Sequence, residues 1–489
     1  MWVNRIVEST VYRFLVPSFS VLLFLVVAYI IFSFLKNEIK DVRNVRFLLF
    51  FLIVLTFLGF GIRFFAQYFT YHPNYMYSAI ANTIHETGLY GFCTTGFSYC
   101  VPVYKPYTIY VSLVGFIYNA LQGVSFAAAR NLNVFIGSLS VVLGFFVSKK
   151  YSERKFTPYV FVTLLAFFPL HIELSKSMET HAFSVFFALA FFGFLHEFRE
   201  TREYNFFGFT VLMYVASVLS KPMNVFLIFP LVYVFLEEKG TDNILKAFRN
   251  RTVLVSLLTG VFFVPLYYLL FFVQGVAHDT GLVFFQENQV LELMLSNGIY
   301  IFLSILCVSG LIYGLWKKDF KKVGLFLVYY VPLLFHTQLK PVRLILPAVI
   351  ISMYLGSELI GYFFERVGNS RVLPVLFFVS VLALFFISTF RPTPYNYFSS
   401  EEALSEELEE LEGDYVIWSR RADLAYSVST VTVRNTNYEQ PDFEDFDRVA
   451  ILLRGGCDDM IPVFEEELEV FQLFEERGFD DYSLCLYHK

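Results

Sequence analysis

Charge is what this chain has least of. Asp, Glu, Lys and Arg make up 16% of its 489 residues, against 56% apolar residues and a mean hydropathy of +0.58. A soluble domain carries about a quarter charged residues, so an ordinary water-soluble protein is excluded. Also missing is the ten-residue alternation of a transmembrane barrel. Cysteine is scarce, at five copies, and says little about a redox framework. Cys93 with Cys100, and Cys457 with Cys485, could each close on an oxidising side, although free, partly buried thiols are the commoner state for such pairs. No small-residue cleavage site follows the first apolar block, Leu15 to Leu35. That block is too long and too rich in phenylalanine for a signal peptide, and it is expected to stay in the mature protein.

What is there is aromatic and aliphatic: 62 Phe and 32 Tyr. The apolar residues come in blocks of roughly 17 to 25, the length a helix needs to cross hydrocarbon. Expected spans are 14–36, 47–67, 132–148, 157–172, 181–196, 205–219, 222–236, 252–273, 297–315, 323–336, 343–364 and 372–389. Lys and Arg cluster at 36–46, 149–155, 199–202, 239–251, 317–322 and 366–371. Placing every cluster in the cytoplasm satisfies the positive-inside tendency and makes the spans alternate, except between Gln67 and Arg130. Both ends of that stretch must then lie outside, so the apolar block Tyr107 to Val124 is expected to be a re-entrant or juxtamembrane segment. The expected fold is an all-α polytopic membrane protein, with about twelve transmembrane helices plus that segment and a small C-terminal α/β soluble domain.

Net charge divides the chain in two. Residues 391–489 carry 24 acidic and 8 basic side chains, a net of −16, which leaves +10 for residues 1–390 of the total −6. Residues 1–390 read as a transmembrane domain with a large outer loop at 67–130 and a second at 274–297. Residues 391–489 read as an acidic extracytoplasmic domain, an unsuitable partner for nucleic acid. In it, Ser399 to Leu411 reads as a capped helix, Asp414–Trp418, Val449–Leu453 and Tyr482–Tyr487 as strands, and Pro462–Glu476 as a helix between the last two. It has no glycine-rich phosphate loop; Arg454-Gly455-Gly456 is only a turn. In the first outer loop, Tyr75 to Glu86 reads as an amphipathic helix with Asn74 as its cap. In the second, a helix is expected around Gln286 to Leu295.

Ionisable residues near span ends are costly in lipid and therefore informative. They fall in five groups, all on the outer side: His72-Pro73-Asn74 with Glu86, Lys105, Arg130, Glu179 with His181, and Lys340 with Arg343. The basic members suit a phosphate, because an arginine fork holds two oxygens and a lysine supplies a mobile charge. The plainer reading of Lys340 and Arg343 is snorkelling to the headgroups. Glu179 could orient a sugar hydroxyl, bind a metal or act as a base, or simply pair with Lys176 as a solvated loop acid. Asn131 and Asn133 read as helix-start residues, and Lys221-Pro222 as a span opening.

Several of these residues occur in an order that resembles the GT-C superfamily of membrane glycosyltransferases, in particular the protein mannosyltransferase and aminoarabinose transferase branch. The matching features are His72-Pro73-Asn74-Tyr75 with Tyr77, Ala81 and Gly88; Lys105-Pro106-Tyr107; Gly123 with Ala127-Ala128-Ala129-Arg130, Asn133 and Gly137; Glu179; and Arg343-Leu344-Ile345-Leu346-Pro347. The resemblance covers residues 50–390 through short motifs. It implies transfer of a sugar from a polyprenyl-phosphate (dolichyl-phosphate-like) donor to a protein, lipid or glycan acceptor on the outer face. Arg343, Lys340, Lys105 and Arg130 are the implied phosphate-binding residues, and Tyr75, Tyr77 and His181 the implied sugar pocket. It names no certain cofactor and leaves room for a divalent metal. Membrane lipid, the lipid-linked donor and the acceptor are the implied partners, and the plasma membrane the implied location.

One departure matters. Where the family has an acid in the first loop, this chain has Asn74, which can hydrogen-bond a hydroxyl but cannot accept its proton. Glu179, then His72, then Glu86 are the replacements. A lipid-linked glycan flippase or an inactive scaffold are the alternatives. The lack of a two-fold internal repeat and the crowding of polar groups on one face argue against transport.

Overall fold

The computed structural model describes residues 9–42, 53, 56–63, 75–94, 99–101, 108–237, 247–268, 298–334, 346–367, 377, 380–381, 416–419, 433–434, 448–454, 472–479 and 482–488. The helical part runs through α1 (Thr10–Val42), a helical stretch at 56–63, α2 (Tyr75–Thr87), α3 (Thr108–Leu121), α4 (Phe126–Tyr151), α5 (Thr157–Phe167), α6 (Pro169–Lys176), α7 (His181–Thr201) and α8 (Tyr204–Ser220). A 3₁₀ turn (Pro222–Leu227) follows, then α9 (Ile228–Glu237), α10 (Arg251–Tyr268), α11 (Gly298–Trp316), α12 (Phe320–Leu334) and α13 (Leu346–Arg366). Among the described residues, three stretches are long and apolar enough to cross a membrane alone: Thr10–Ile39, Ala127–Tyr151 and His181–Thr201. The α5–α6 pair, bent by 52°, is a fourth if its two arms count as one span. Most of span 47–67, and nearly all of 372–389, lies outside the described residues.

Two expected spans are interrupted. The 157–172 block is broken at Phe168, because Pro169 has no N–H to continue the ladder and sits instead at the first position of a new helix. The 222–236 block starts as a 3₁₀ turn before becoming α9. The block at 107–124 forms α3, whose 14 residues rise only about 21 Å, short of the hydrocarbon core. It packs on α2 and α1, and Gly115 permits the approach, since a Cβ there would lie 2.8 Å from the Ala81 carbonyl oxygen. The helix expected over Tyr75 to Glu86 is α2, and Gly88, with a φ of +72°, closes it with a bond to the Ile84 carbonyl.

The core is built on α7, which is buried along nearly its whole length between α4 and α8. Interlocked aromatic rings fill it, among them Tyr110 against Phe183 and Phe192 against Tyr329. At one end of this bundle the Lys and Arg clusters converge. Lys150 bridges Glu38 at 2.7 Å and Glu197; Arg154 reaches Glu365 at 2.6 Å and the Tyr313 hydroxyl; Arg199 meets Glu237 at 3.1 Å. Lys322 approaches Glu358 at 3.6 Å. Burial alone would lower the Arg154 pKa, but Tyr313 and the Glu365 carboxylate outweigh it, and the pKa is raised. A cavity of about 350 Å³ lies here between Arg154, Lys322 and Glu358.

The tail contains a five-stranded mixed sheet in the order β4-β3-β5-β7-β6, from β3 (Val416–Ser419), β4 (Val433–Arg434), β5 (Arg448–Arg454), β6 (Gln472–Phe479) and β7 (Tyr482–His488). The first loop adds a two-stranded ribbon, β1 (Phe92–Thr94) with β2 (Tyr99–Val101). Three expected tail strands are present within two residues. The helix expected over Pro462–Glu476 is corrected: from Gln472 onward the chain is β6, paired antiparallel with β7 from Gln472↔His488 to Phe479↔Tyr482. Phe464, Leu468 and Phe471 have helical spacing, but cross-strand pairing to β7 decides the state of the last part. The helices expected over Ser399–Leu411 and Gln286–Leu295 lie outside the described residues.

Candidate functional site

Opposite the ion-paired end, α7 begins and α8 ends side by side. Glu179 and Thr180 precede α7, so the carboxylate lies near a helix N-terminus; Lys221 follows α8, so the ammonium lies near a C-terminus. Both placements suit the helix dipoles. Between them, the Glu179 carboxylate is 2.5 Å from His181 Nε2, and Lys221 Nζ is 3.3 Å from the same nitrogen. A contact that short requires a proton shared between carboxylate and imidazole, and Lys221 flanks the pair. The three residues are 3%, 1% and 4% exposed.

The loop carrying Glu179 is held by its backbone. Asn133, about two turns into α4, donates its amide to the carbonyls of Ser177 at 2.6 Å and Glu179 at 2.7 Å. The cap of α4 is Ser125, whose hydroxyl accepts from the Ala128 N–H. Asn133 is therefore a cross-brace and not the helix-start residue expected from its position. Asn224 does similar work on the other side, donating to Ser184 Oγ at 2.8 Å and Ser217 Oγ at 2.7 Å. It ties the 3₁₀ turn to α7 and α8.

The angle at which α6 enters is fixed by Arg63. Its guanidinium donates to the Gly59 carbonyl at 2.9 Å, to the Ala166 carbonyl at 3.3 Å and to His171 Nδ1 at 2.7 Å. Ala166 lies in the last turn of α5, where carbonyls lose their helical partners, and His171 lies in the first turn of α6. Arg63 therefore spans the break. Because guanidinium only donates, Nδ1 of His171 must accept, which leaves that ring neutral with its proton on Nε2. Gly137 lets α6 approach α4, since a Cβ there would lie 2.3 Å from Ser175 Oγ. The result is that α6 presents Glu173 and Lys176, whose charges interact with each other, with Glu179 on the acidic side and with Arg130 on the basic side.

Of the sequence-derived candidates, Glu179 and His181 touch, and half-buried Arg130 is electrostatically linked to the same group through Lys176. Tyr77 is buried and packs edge-on against Tyr110, whose hydroxyl donates to the Ala129 carbonyl and feels the Glu179 charge. Tyr75 opens α2. Glu86 lies about 16 Å further along that helix, 3.5 Å from His85, which in turn bonds Asn119 of α3. His72, Asn74, Lys105, Lys340 and Arg343 lie outside the described residues. Among the described residues, no group of three or more His, Cys, Asp and Glu side chains is arranged to hold a metal. Arg63, His171 and Asn133 were not singled out from sequence as functional, although Arg63 is the one charged residue in the block 47–67, which is itself a signal.

These features, a mostly helical chain with long apolar helices and a polar cluster at one end, define a polytopic α-helical membrane fold. Among solved structures, the chain is similar to ArnT from Cupriavidus metallidurans. The match to its crystal structure bound to undecaprenyl phosphate has a TM-score of 0.58 at 12% identity and covers 90% of this chain and 98% of that one. The match to its apo structure has a TM-score of 0.61 at 10% identity, over 91% and 98%. At 10–12% identity this likeness shows a shared fold. No protein-family model and no curated protein sequence matches the chain.

Proposed function

We propose that this protein transfers a sugar from a polyprenyl-phosphate donor to an acceptor hydroxyl or amine on the extracytoplasmic side of the membrane. The observation that carries this reading is the buried Glu179–His181–Lys221 group, set at helix ends in a fold shared with a protein crystallised with undecaprenyl phosphate. Glu179 takes the role of the missing first-loop acid and accepts the acceptor's proton as the anomeric bond breaks. His181 and Lys221 hold its carboxylate ionised, with His72 and Glu86 as the secondary bases and Asn74 as a hydroxyl ligand. Arg343 and Lys340, with Lys105 or Arg130, hold the donor phosphate. Charge grows on that phosphate in the transition state, so fixed cations there lower the barrier more than they tighten ground-state binding. Tyr75, Tyr77 and His181 line the sugar. Residues 1–390 form the transferase domain in the plasma membrane, and residues 391–489 an extracytoplasmic neighbour of the site.

The test uses membranes containing the full chain, a polyprenyl phosphate carrying a radiolabelled sugar, and extraction of lipid. Label in the non-lipid or altered-lipid fraction that Glu179→Gln abolishes supports the reading. Equal transfer by the Glu179→Gln and parent chains removes Glu179 from the mechanism. If cells with and without the protein have identical glycans and glycolipids, transfer itself is refuted.

A further inference from the structure

We propose that Cys93 and Cys100 form a disulfide that closes the ribbon of the first loop. The two residues are direct partners in the antiparallel β1–β2 register, flanked by Phe92↔Val101 and Thr94↔Tyr99. Directly opposed residues in such a pair stand with Cα atoms about 4.5–5.5 Å apart and their Cβ atoms on one face. That separation lies inside the range a disulfide spans, about 4.4–6.8 Å. A one-residue slip would have put the two on opposite faces, so the register is the observation that matters.

Two further observations point the same way. Cys485, on the central strand β7 of the tail sheet, is disulfide-bonded, and a disulfide persists in an oxidising compartment. The alternation of spans expected from the sequence puts the tail and the first loop on one side of the membrane. The ribbon is also anchored at its base on the end of α1 away from the Lys150 ion pairs: Tyr90 N–H donates to the Arg13 carbonyl at 3.0 Å, and Arg13 Nε donates to the Tyr90 carbonyl at 2.9 Å. A covalent closure at Cys93–Cys100 then fixes the other end of a short loop, between the helices α2 and α3 that pack together.

The chemistry is thiol–disulfide exchange. One cysteine thiolate attacks the disulfide of an extracytoplasmic thiol–disulfide oxidoreductase, giving a mixed disulfide. The second thiolate displaces the oxidoreductase sulfur. Two thiols thereby lose two protons and two electrons, and the oxidoreductase disulfide is reduced to a dithiol.

Cells expressing the full chain are quenched in trichloroacetic acid, and the denatured protein is treated with one maleimide before reduction and a second, heavier one after it. Peptide mass mapping should find Cys93 and Cys100 carrying only the second label, and an unreduced peptide containing both that is lighter by two hydrogens. In Cys93→Ser, Cys100 should take the first label instead. First label on both cysteines of the parent chain, or a bond from either one to any other cysteine, overturns the proposal. So does a Cys100 that remains unlabelled before reduction in Cys93→Ser.

Discussion

At the end of the bundle where Lys150, Arg154 and Arg199 gather, each cation meets a carboxylate at the rim. The side chains of Arg154 and Glu365 are 22% and 33% exposed, and water screens them. At the other end, Glu179, His181 and Lys221 are almost fully buried, and so is Arg63, at 1%. Rim pairs of the first kind contribute about 0–1 kcal/mol each, and they suit a surface that meets water. Buried charges of the second kind gain nothing from solvent and survive only where every neighbour is placed to receive them. The same few charged residues are thus spent in two ways, on orientation at one end and on a preorganised polar cluster at the other.

Substitutions at the two ends can break this contrast. The largest effect is expected for Glu179→Gln, which keeps the shape and removes the proposed proton acceptor. Sugar transfer should fall by about 100-fold or more while detergent-solubilised protein stays folded, as read by a radiolabel assay beside a thermal melt. Arg63→Ala strips donors from the Ala166 carbonyl and from His171 across the α5–α6 break. It should destabilise the protein by about 3 kcal/mol in denaturant titration, and a cost under about 1 kcal/mol would mean the break holds itself. Asn133→Ala leaves the Ser177 and Glu179 carbonyls without their amide partner. A loss of about 1–2 kcal/mol is expected, with transfer reduced more than stability because the loop that carries Glu179 loosens. The smallest effect belongs to Arg154→Gln, at under about 1 kcal/mol with transfer unchanged; a large loss there would show that the rim pair is not merely orienting.

Much of this architecture is legible in order of residue. The block at 181–196 is the core of α7, and the helix expected over Tyr75 to Glu86 is α2. The convergence of basic clusters at one end follows from placing them all on one side, and contacts such as Glu38–Lys150–Glu197 are its physical form. Glu179 and His181 were legible because ionisable residues between apolar blocks need a reason. The brace residues were not. Arg63 and His171 lie 108 positions apart, as do no two neighbours on one helix, and Asn133 is 44 from Ser177. Nothing in local periodicity encodes such partners. The helix expected across Gln472–Glu476 failed for the opposite reason: a local pattern was present, and pairing with β7 overrode it.

The broken helix at Phe168 also constrains how this protein can change over time. Each residue of an α-helix turns the chain by about 100°, so one residue added to or removed from α6 would swing Lys176 and the Glu179 loop to a different side of the bundle. Downstream of the kink the chain has no slack to absorb that rotation, because Asn133 grips two consecutive odd-numbered carbonyls, those of Ser177 and Glu179. The eight residues of α6 should therefore tolerate substitution far better than they tolerate a change in number.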